Sequence, residues 1–294
     1  MTSKDIFSLA LLGAIWGGSF IFMRVAAPEF GVFALVEIRA VLATAIMLPF
    51  LIAVGGWRNI KRYWWQIGFI GALNTAIPFV LFNYSSLHLE AGVNAILNAT
   101  APMFGALVAF LWLKDTLKPS AVTGLFLGFI GVIVLSAHKV GSGHVSVVPI
   151  LTACMATLCY GIAACAMKRW LAGVKPIVVA TGSQIFASLI LLPFSLATLP
   201  ATMPSGLAWL NAIALAVLGT GIAYILYFNL IATIGPAKAI SVGYLVPLFG
   251  IIWGLLFLNE SLSVQTLTGG VLILLGVALT TGVIQRLWRT RTAE

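Results

Sequence analysis

Asn74, Thr75, Asn83, Tyr84, Asn94, Asn98, Tyr160, Thr220, Tyr224, Tyr227, Asn229, Ser241 and Tyr244 are the side chains best placed to do chemistry in this sequence, because each falls inside a long apolar run. The chemistry they suit is recognition. Amides and phenols can hold the amino and carboxylate ends of a zwitterion through neutral hydrogen bonds, and aromatic faces can pack its side chain. From this set, Asn74, Asn83, Tyr84, Asn94, Asn98, Tyr160, Tyr224, Tyr227, Ser241 and Tyr244, together with Trp16, are the candidate substrate-binding residues. Asn94 and Asn98, four apart, share one helix face. The same residue types also tie helices to one another.

Glu37 and Arg39 sit within a second apolar run, two apart and so not facing each other on a helix. Arg39 is expected to reach outward or to pair with a protein group, with a substrate carboxylate as the alternative. His88 and Glu90 read as a solvated turn.

Bond-making chemistry is not indicated. His88, His138 and His144 lie near the ends of apolar runs, without the spacing of a metal hydrolase, and no serine stands in an elbow motif. Cys154, Cys159 and Cys165 share one run with no C-x-x-C and read as small apolar fillers. No enzyme activity, metal or cofactor is expected.

Lipid must be the solvent for the elements that position these groups. Apolar residues make up 61% of the 294 residues and charged residues 8%, and the mean hydropathy is +1.11. A soluble chain needs far more polar surface. The net charge of +9 does not point to nucleic acid, because the basic residues stand in short clusters between the apolar runs. About 20 residues cross a bilayer as a helix. That ruler predicts ten spans, at 5–25, 32–54, 64–86, 92–112, 120–138, 146–167, 177–198, 208–230, 237–258 and 265–285. Lys4 opens the chain and no A-x-A-like site follows, so the first run reads as a membrane helix rather than a cleaved leader.

With the N-terminus inside, every Lys and Arg except Arg24, Arg39 and Lys139 falls at an inner end. Both termini are therefore expected in the cytoplasm of a bacterial-type inner membrane. Trp57, Trp64, Trp65, Trp112, Trp170, Trp209 and Trp288 fall near span ends, where headgroups favour amphipathic rings; Trp16 is near mid-span.

Residues 73–137 and 218–282 align without a gap at an offset of 145, pairing Thr75 with Thr220, Pro102 with Pro247, Gly105 with Gly250, Asp115 with Glu260, Gly124 with Gly269 and Gly131 with Gly276. At an offset of 144, Gly17 meets Gly161 and Arg24 meets Lys168. A five-span unit is odd, so the second copy must enter the bilayer upside down. The expected division is a first repeat at 1–140 and an inverted second repeat at 141–294. Gly17 and Gly161, beside Trp16 and Tyr160, are candidate gating glycines. Pro78, Pro102 and Pro247 interrupt spans, and the last two, recurring in both halves, suggest a shared kink on the moving fourth and ninth helices. The small residues of the fifth and tenth spans could pack the two halves together or a homodimer.

W-G-G-S-F at Trp16–Phe20, A-P-M-F-G-A-L at Ala101–Leu107, V-P-L-F-G-I-I at Val246–Ile252, L-N-E-S-L at Leu258–Leu262 and T-G-G-V-L-I-L-L-G-V at Thr268–Val277 carry a likeness. In order, spacing and duplication, the chain resembles the drug/metabolite transporter superfamily in its EamA branch. L-K-D-T-L at Leu113–Leu117 has Asp where that branch more often has Glu. The resemblance implies an all-α membrane protein of ten helices in two inverted five-helix repeats. It also implies a central cavity and a carrier of small metabolites, often an exporter of amino acids. No carboxylate other than Glu37 lies in a span core, which predicts alternating access without tight proton coupling. The alternative on the same fold is an exchanger of phosphorylated sugars or nucleotide-sugars. It would need a cationic pocket, and only Arg39 with Arg24 or Lys168 could nucleate one.

Overall fold

An apolar run in lipid must satisfy its own backbone, which leaves the helix as the economical solution. The computed structural model describes residues 2–141 and 146–283. Its long helices are α1 (Ser3–Phe30), α2 (Val32–Ala53), α3 (Trp64–Ser86), α4 (Ala91–Leu113), α5 (Pro119–Gly141), α6 (Val148–Trp170), α7 (Pro176–Ala197), α8 (Gly206–Ile234), α9 (Val242–Leu258) and α10 (Val264–Thr280). The first eight have the length and apolarity to cross a membrane, and α9 and α10 are shorter apolar helices. At 17 residues each, these two reach about 25 Å, near the lower limit for a crossing. The short helix Pro236–Ala239 extends the wall ahead of α9. Trp288 and Arg286, Arg289 and Arg291 lie outside the described residues.

Side-chain caps fix several starts. Thr2 and Asp5 form a reciprocal capping box on α1. Ser205 accepts from the Ala208 N–H and Ser263 from the Thr266 N–H. Lys114 and Asn259, equivalent at the 145-residue offset, both end their helices with positive φ, 60° and 51°. The next residues repeat one closure: the Asp115 N–H donates to the Ala109 carbonyl at 3.2 Å, and the Glu260 N–H to the Gly254 carbonyl at 3.1 Å.

The inversion is visible in space. Asp115 follows the last residue of α4, whereas its sequence equivalent Glu260 caps the first residues of the same helix. Glycine contacts show the same relation. A Cβ on Gly124 would lie 2.5 Å from the Gly276 carbonyl, and one on Gly131 would lie 2.8 Å from the Gly269 carbonyl. The two contacts exchange under the repeat, so α5 and α10 cross antiparallel about a pseudo-two-fold axis. Their small residues are thus used on each other within the chain. A second related pair joins α1 to α9 through Gly17 and Gly250, and α6 to α4 through Gly161 and Gly105. At Gly17, Gly161 and Gly250 a Cβ would lie under 3 Å from its neighbours, so small residues let the helix backbones touch.

Two departures from regular helix also recur. α3 is π-helical over Ala72–Ala76 and α8 over Val217–Ile222, the same positions in the two copies. The fourth and ninth helices do not match. α4 is interrupted at Ala99–Thr100, just before Pro102, and ends in a π turn at Ala109–Leu113. α9 runs unbroken through Pro247 and stays α-helical to Leu258. Both copies therefore break, at different places: beside Pro102 in the first, and at Ile240–Ser241, ahead of α9 and of Pro247, in the second. Pro78 stands in the interior of α3, two residues after its π segment.

Candidate functional site

A cavity of about 770 Å³ runs between the two halves from mid-depth to one end of the bundle. At mid-depth it is lined by Trp16, Arg39, Asn74, Asn98, Tyr160, Tyr224 and Tyr227. Toward its mouth it passes Pro102, Gly105, Ala109 and Leu113 of α4, Gly161 and Lys168 of α6, and Ser241 and Tyr244 on the α9 side. The mouth is on the end that holds Asp5, Asp115 and Lys168. The opposite end is closed by α4 and α9. There Gly92 meets Ile251, Gly250 meets Ala95, and the Glu260 carboxylate accepts from the Ala91 N–H at 2.8 Å and the Gly92 N–H at 3.4 Å. A carboxylate at a helix start satisfies two otherwise orphaned donors and matches the helix dipole. Burial pushes the Glu260 carboxyl above its ordinary value, and Glu90 pushes the same way; the two N–H donors and Arg24 oppose it.

The repeat places different contacts at the cavity mouth. Asp115 turns to Lys168, at 2.8 Å in an exposed ion pair. Gly105 and Ile240, the equivalents of Gly250 and Ala95, both line the cavity.

The individual candidates separate clearly. Trp16 and Tyr227 meet at 5.3 Å between ring centroids. Tyr160 lies parallel to Phe82 at 6.2 Å, and Tyr224 stacks on Phe228 at 5.8 Å. The Asn74 amide reaches toward the Tyr224 phenol. Tyr244 shares a 2.7 Å hydrogen bond with Thr281, and the Ser241 hydroxyl donates to the Lys238 carbonyl at 2.6 Å. All of these candidates, with Asn98, Pro102 and Gly161, line the cavity.

Asn83, Tyr84 and Asn94 do not. Asn83 is buried and donates to the Val32 carbonyl, Tyr84 packs on His88, and Asn94 bonds Ser85 and Ser86. Asn94 and Asn98 share the unbroken stretch Ala91–Asn98 but differ in depth: Asn94 is held by Ser85 and Ser86 at the end of α3, and Asn98 lines the cavity. Gly17, Pro78 and Pro247 lie outside the lining, in helix contacts.

Arg39 does not reach outward; it takes the other half of the expectation, a protein partner. It is 7% exposed. Its Nε donates to Thr220 Oγ1 at 2.8 Å, and its guanidinium carbon lies 3.6 Å over the Phe79 ring centroid. Thr220 was legible as a polar residue in a span; that it would seat a cation was not. Glu37, two residues earlier, turns away to accept from Ser188 on α7 at 2.5 Å. Arg24 is outside the cavity, donating to the Ser86 carbonyl at 2.7 Å. Among the described residues, no carboxylate lines the cavity.

The geometry is that of a solute cavity between two helical halves, and comparison with known proteins agrees. The EamA-like transporter family matches residues 4–137 and again 147–282. A protein of Archaeoglobus fulgidus named "Uncharacterized transporter" is 23% identical over 277 residues, covering 92% of this chain and 95% of its own. A protein of Streptantibioticus cattleyicolor named "Probable terminal-alkyne amino-acid exporter" is 26% identical over 280 residues, covering 94% of this chain and 93% of its own. A solved crystal structure superposes with a TM-score of 0.66 at 19% identity, over 98% of this chain and 99% of that one, a likeness of fold. Family, helix composition and duplicated halves together give an integral membrane transporter: the chain belongs to the EamA-like transporter family.

Proposed function

We propose that the protein exports amino acids or closely related small metabolites by alternating access, without tight proton coupling. One observation carries the mechanism. The cavity is shut at the end where Glu260 caps α4, and open at the end where the inverted equivalent, Asp115, is engaged by Lys168 instead. Exchanging these arrangements between halves would open the far mouth and close the near one. Small free-energy differences between such states are what cycling requires.

The basic residues Lys114, Lys118, Lys168, Arg169, Lys175 and Lys238 gather at the open end, which supports a cytoplasmic orientation for it and for the termini, as in a plasma membrane of bacterial type. The division into repeats at 1–140 and 141–294 fits this reading. The aromatic mid-depth lining suits a side chain, and its amides and phenols suit polar ends. A cavity with no carboxylate among its described lining residues offers no acid there to carry a proton through the cycle. Amino-acid export draws support from the named Streptantibioticus relative.

The test is counterflow in proteoliposomes of purified protein, using radiolabelled amino acids beside sugar phosphates. Amino-acid exchange that persists with the pH gradient collapsed is expected. Exchange of sugar phosphates alone, or transport that stops when the pH gradient is removed, would overturn the reading.

A further inference from the structure

A guanidinium at mid-depth of a membrane protein is expensive to hold unless something offsets its charge. Arg39 is nearly excluded from solvent, yet no described carboxylate lies within ion-pair distance. Asp5 is engaged by Thr2, Glu29 by Ser205, Glu37 by Ser188, Asp115 by Lys168 and Glu260 by the start of α4. Glu90 occupies the N-cap position of α4, at the closed end. One edge of the Arg39 guanidinium is used by Thr220 and one face by Phe79. The two terminal amino groups make no hydrogen bond with the described protein, and the residue lines the cavity. The phenols of Tyr160 and Tyr224 lie close enough to interact with its charge.

From this geometry we infer that Arg39 anchors a carboxylate of the transported solute, and that this carboxylate is the only charged group the site reads. The inference deepens the amino-acid reading and rests on it for the identity of the site. Two parallel N–H donors match the two oxygens of a carboxylate. A phosphate dianion would bring a second charge, and the remaining cation of the lining, Lys168, is engaged by Asp115 at the mouth. Among the described residues no acidic group lines the cavity to receive an ammonium, so an amino acid is held by its carboxylate while its amine meets neutral groups such as Asn98. A deaminated acid of the same skeleton should therefore be accepted at least as well, and the corresponding amine rejected.

Binding to the purified full-length protein is measured calorimetrically with 3-phenylpropanoate, phenylalanine, phenethylamine and phenyl phosphate, and the same compounds are tried in counterflow. The two carboxylates should bind about 10- to 100-fold more tightly than phenethylamine, the span expected of a charge-assisted hydrogen-bonded pair. Arg39→Gln should erase that preference, with Arg39→Lys restoring part of it. The ligand series on the unaltered protein stands even if the variants do not fold. Phenethylamine binding as tightly as 3-phenylpropanoate overturns the inference, as does phenyl phosphate binding more tightly than either acid. A folded Arg39→Gln protein that binds the acids unchanged, or failure of both acids to bind the unaltered protein, does so too. Counterflow of 3-phenylpropanoate without phenylalanine would sink the amino-acid reading while supporting the carboxylate anchor.

Discussion

The turn after α9 and the turn after α4 descend from one sequence pattern and share one backbone, yet they do opposite things. Both contain a left-handed residue and the same long closing hydrogen bond. Glu260 reaches across to another helix and shuts the cavity, while Asp115 holds a partially exposed lysine and leaves its mouth open. Local sequence therefore sets the shape of each turn, and tertiary context sets its partner. The comparison also separates energies. A half-buried carboxylate on two helix donors matters more than an exposed ion pair, whose contribution is typically below about 1 kcal/mol.

The strongest way to break the comparison is at the glycine crossings. Gly17→Ala and Gly250→Ala insert a methyl against the Gly250 nitrogen and the Ala95 side chain. Each should destabilise the protein by about 1–3 kcal/mol, the usual cost of overpacking. Gly105→Ala, where a Cβ finds only Gly161 Cα at 3.9 Å, should be near neutral. Thermal unfolding of the purified variants checks the contrast, and equal losses at Gly105 and Gly250 would show the open side to be packed as tightly as the closed one.

Next in size is removal of the two carboxylates. Glu260→Ala leaves the Ala91 and Gly92 N–H groups without their acceptor and should cost about 1–3 kcal/mol, with slowed exchange. Asp115→Ala should shift stability by less than about 1 kcal/mol. Melting temperatures and counterflow rates measured side by side would expose any reversal of that order.

The smallest effect is one of pH. Burial raises the Glu260 carboxyl above its ordinary 4.5. In the window just above 4.5 the folded, closed form keeps a proton that the unfolded chain has lost. Its contribution to stability therefore falls as pH climbs through that window. Unfolding measured between mildly acidic and neutral pH should show this slope, and Glu260→Gln should flatten it, whereas Asp115→Asn should leave it intact.

Much of the frame was readable in the sequence. Hydropathy located the ten helices to within a few residues, and the 145-residue offset paired Lys114 with Asn259 and Asp115 with Glu260. The cavity was readable only in part, because hydropathy gives depth and not azimuth. Asn74 and Asn83 fall in one run, yet one faces the cavity and the other the Val32 carbonyl. Spacing put Asn94 and Asn98 on one face of a helix that is continuous between them, but a turn apart they meet different surroundings, the end of α3 and the cavity. A protein partner for Arg39 was expected, but not which one: Thr220 lies 181 residues away, and no local pattern announces a contact of that range.

The π segments at Ala72–Ala76 and Val217–Ile222 have a consequence for motion. Each stores one surplus residue in a helix wall. Letting that surplus slip out would turn everything beyond it by about 100° relative to what precedes it. Phe79 and Phe82 follow the first segment, and Tyr224 and Tyr227 follow the second. Two such swivels could sweep four rings around a bound solute without any rocking of whole halves.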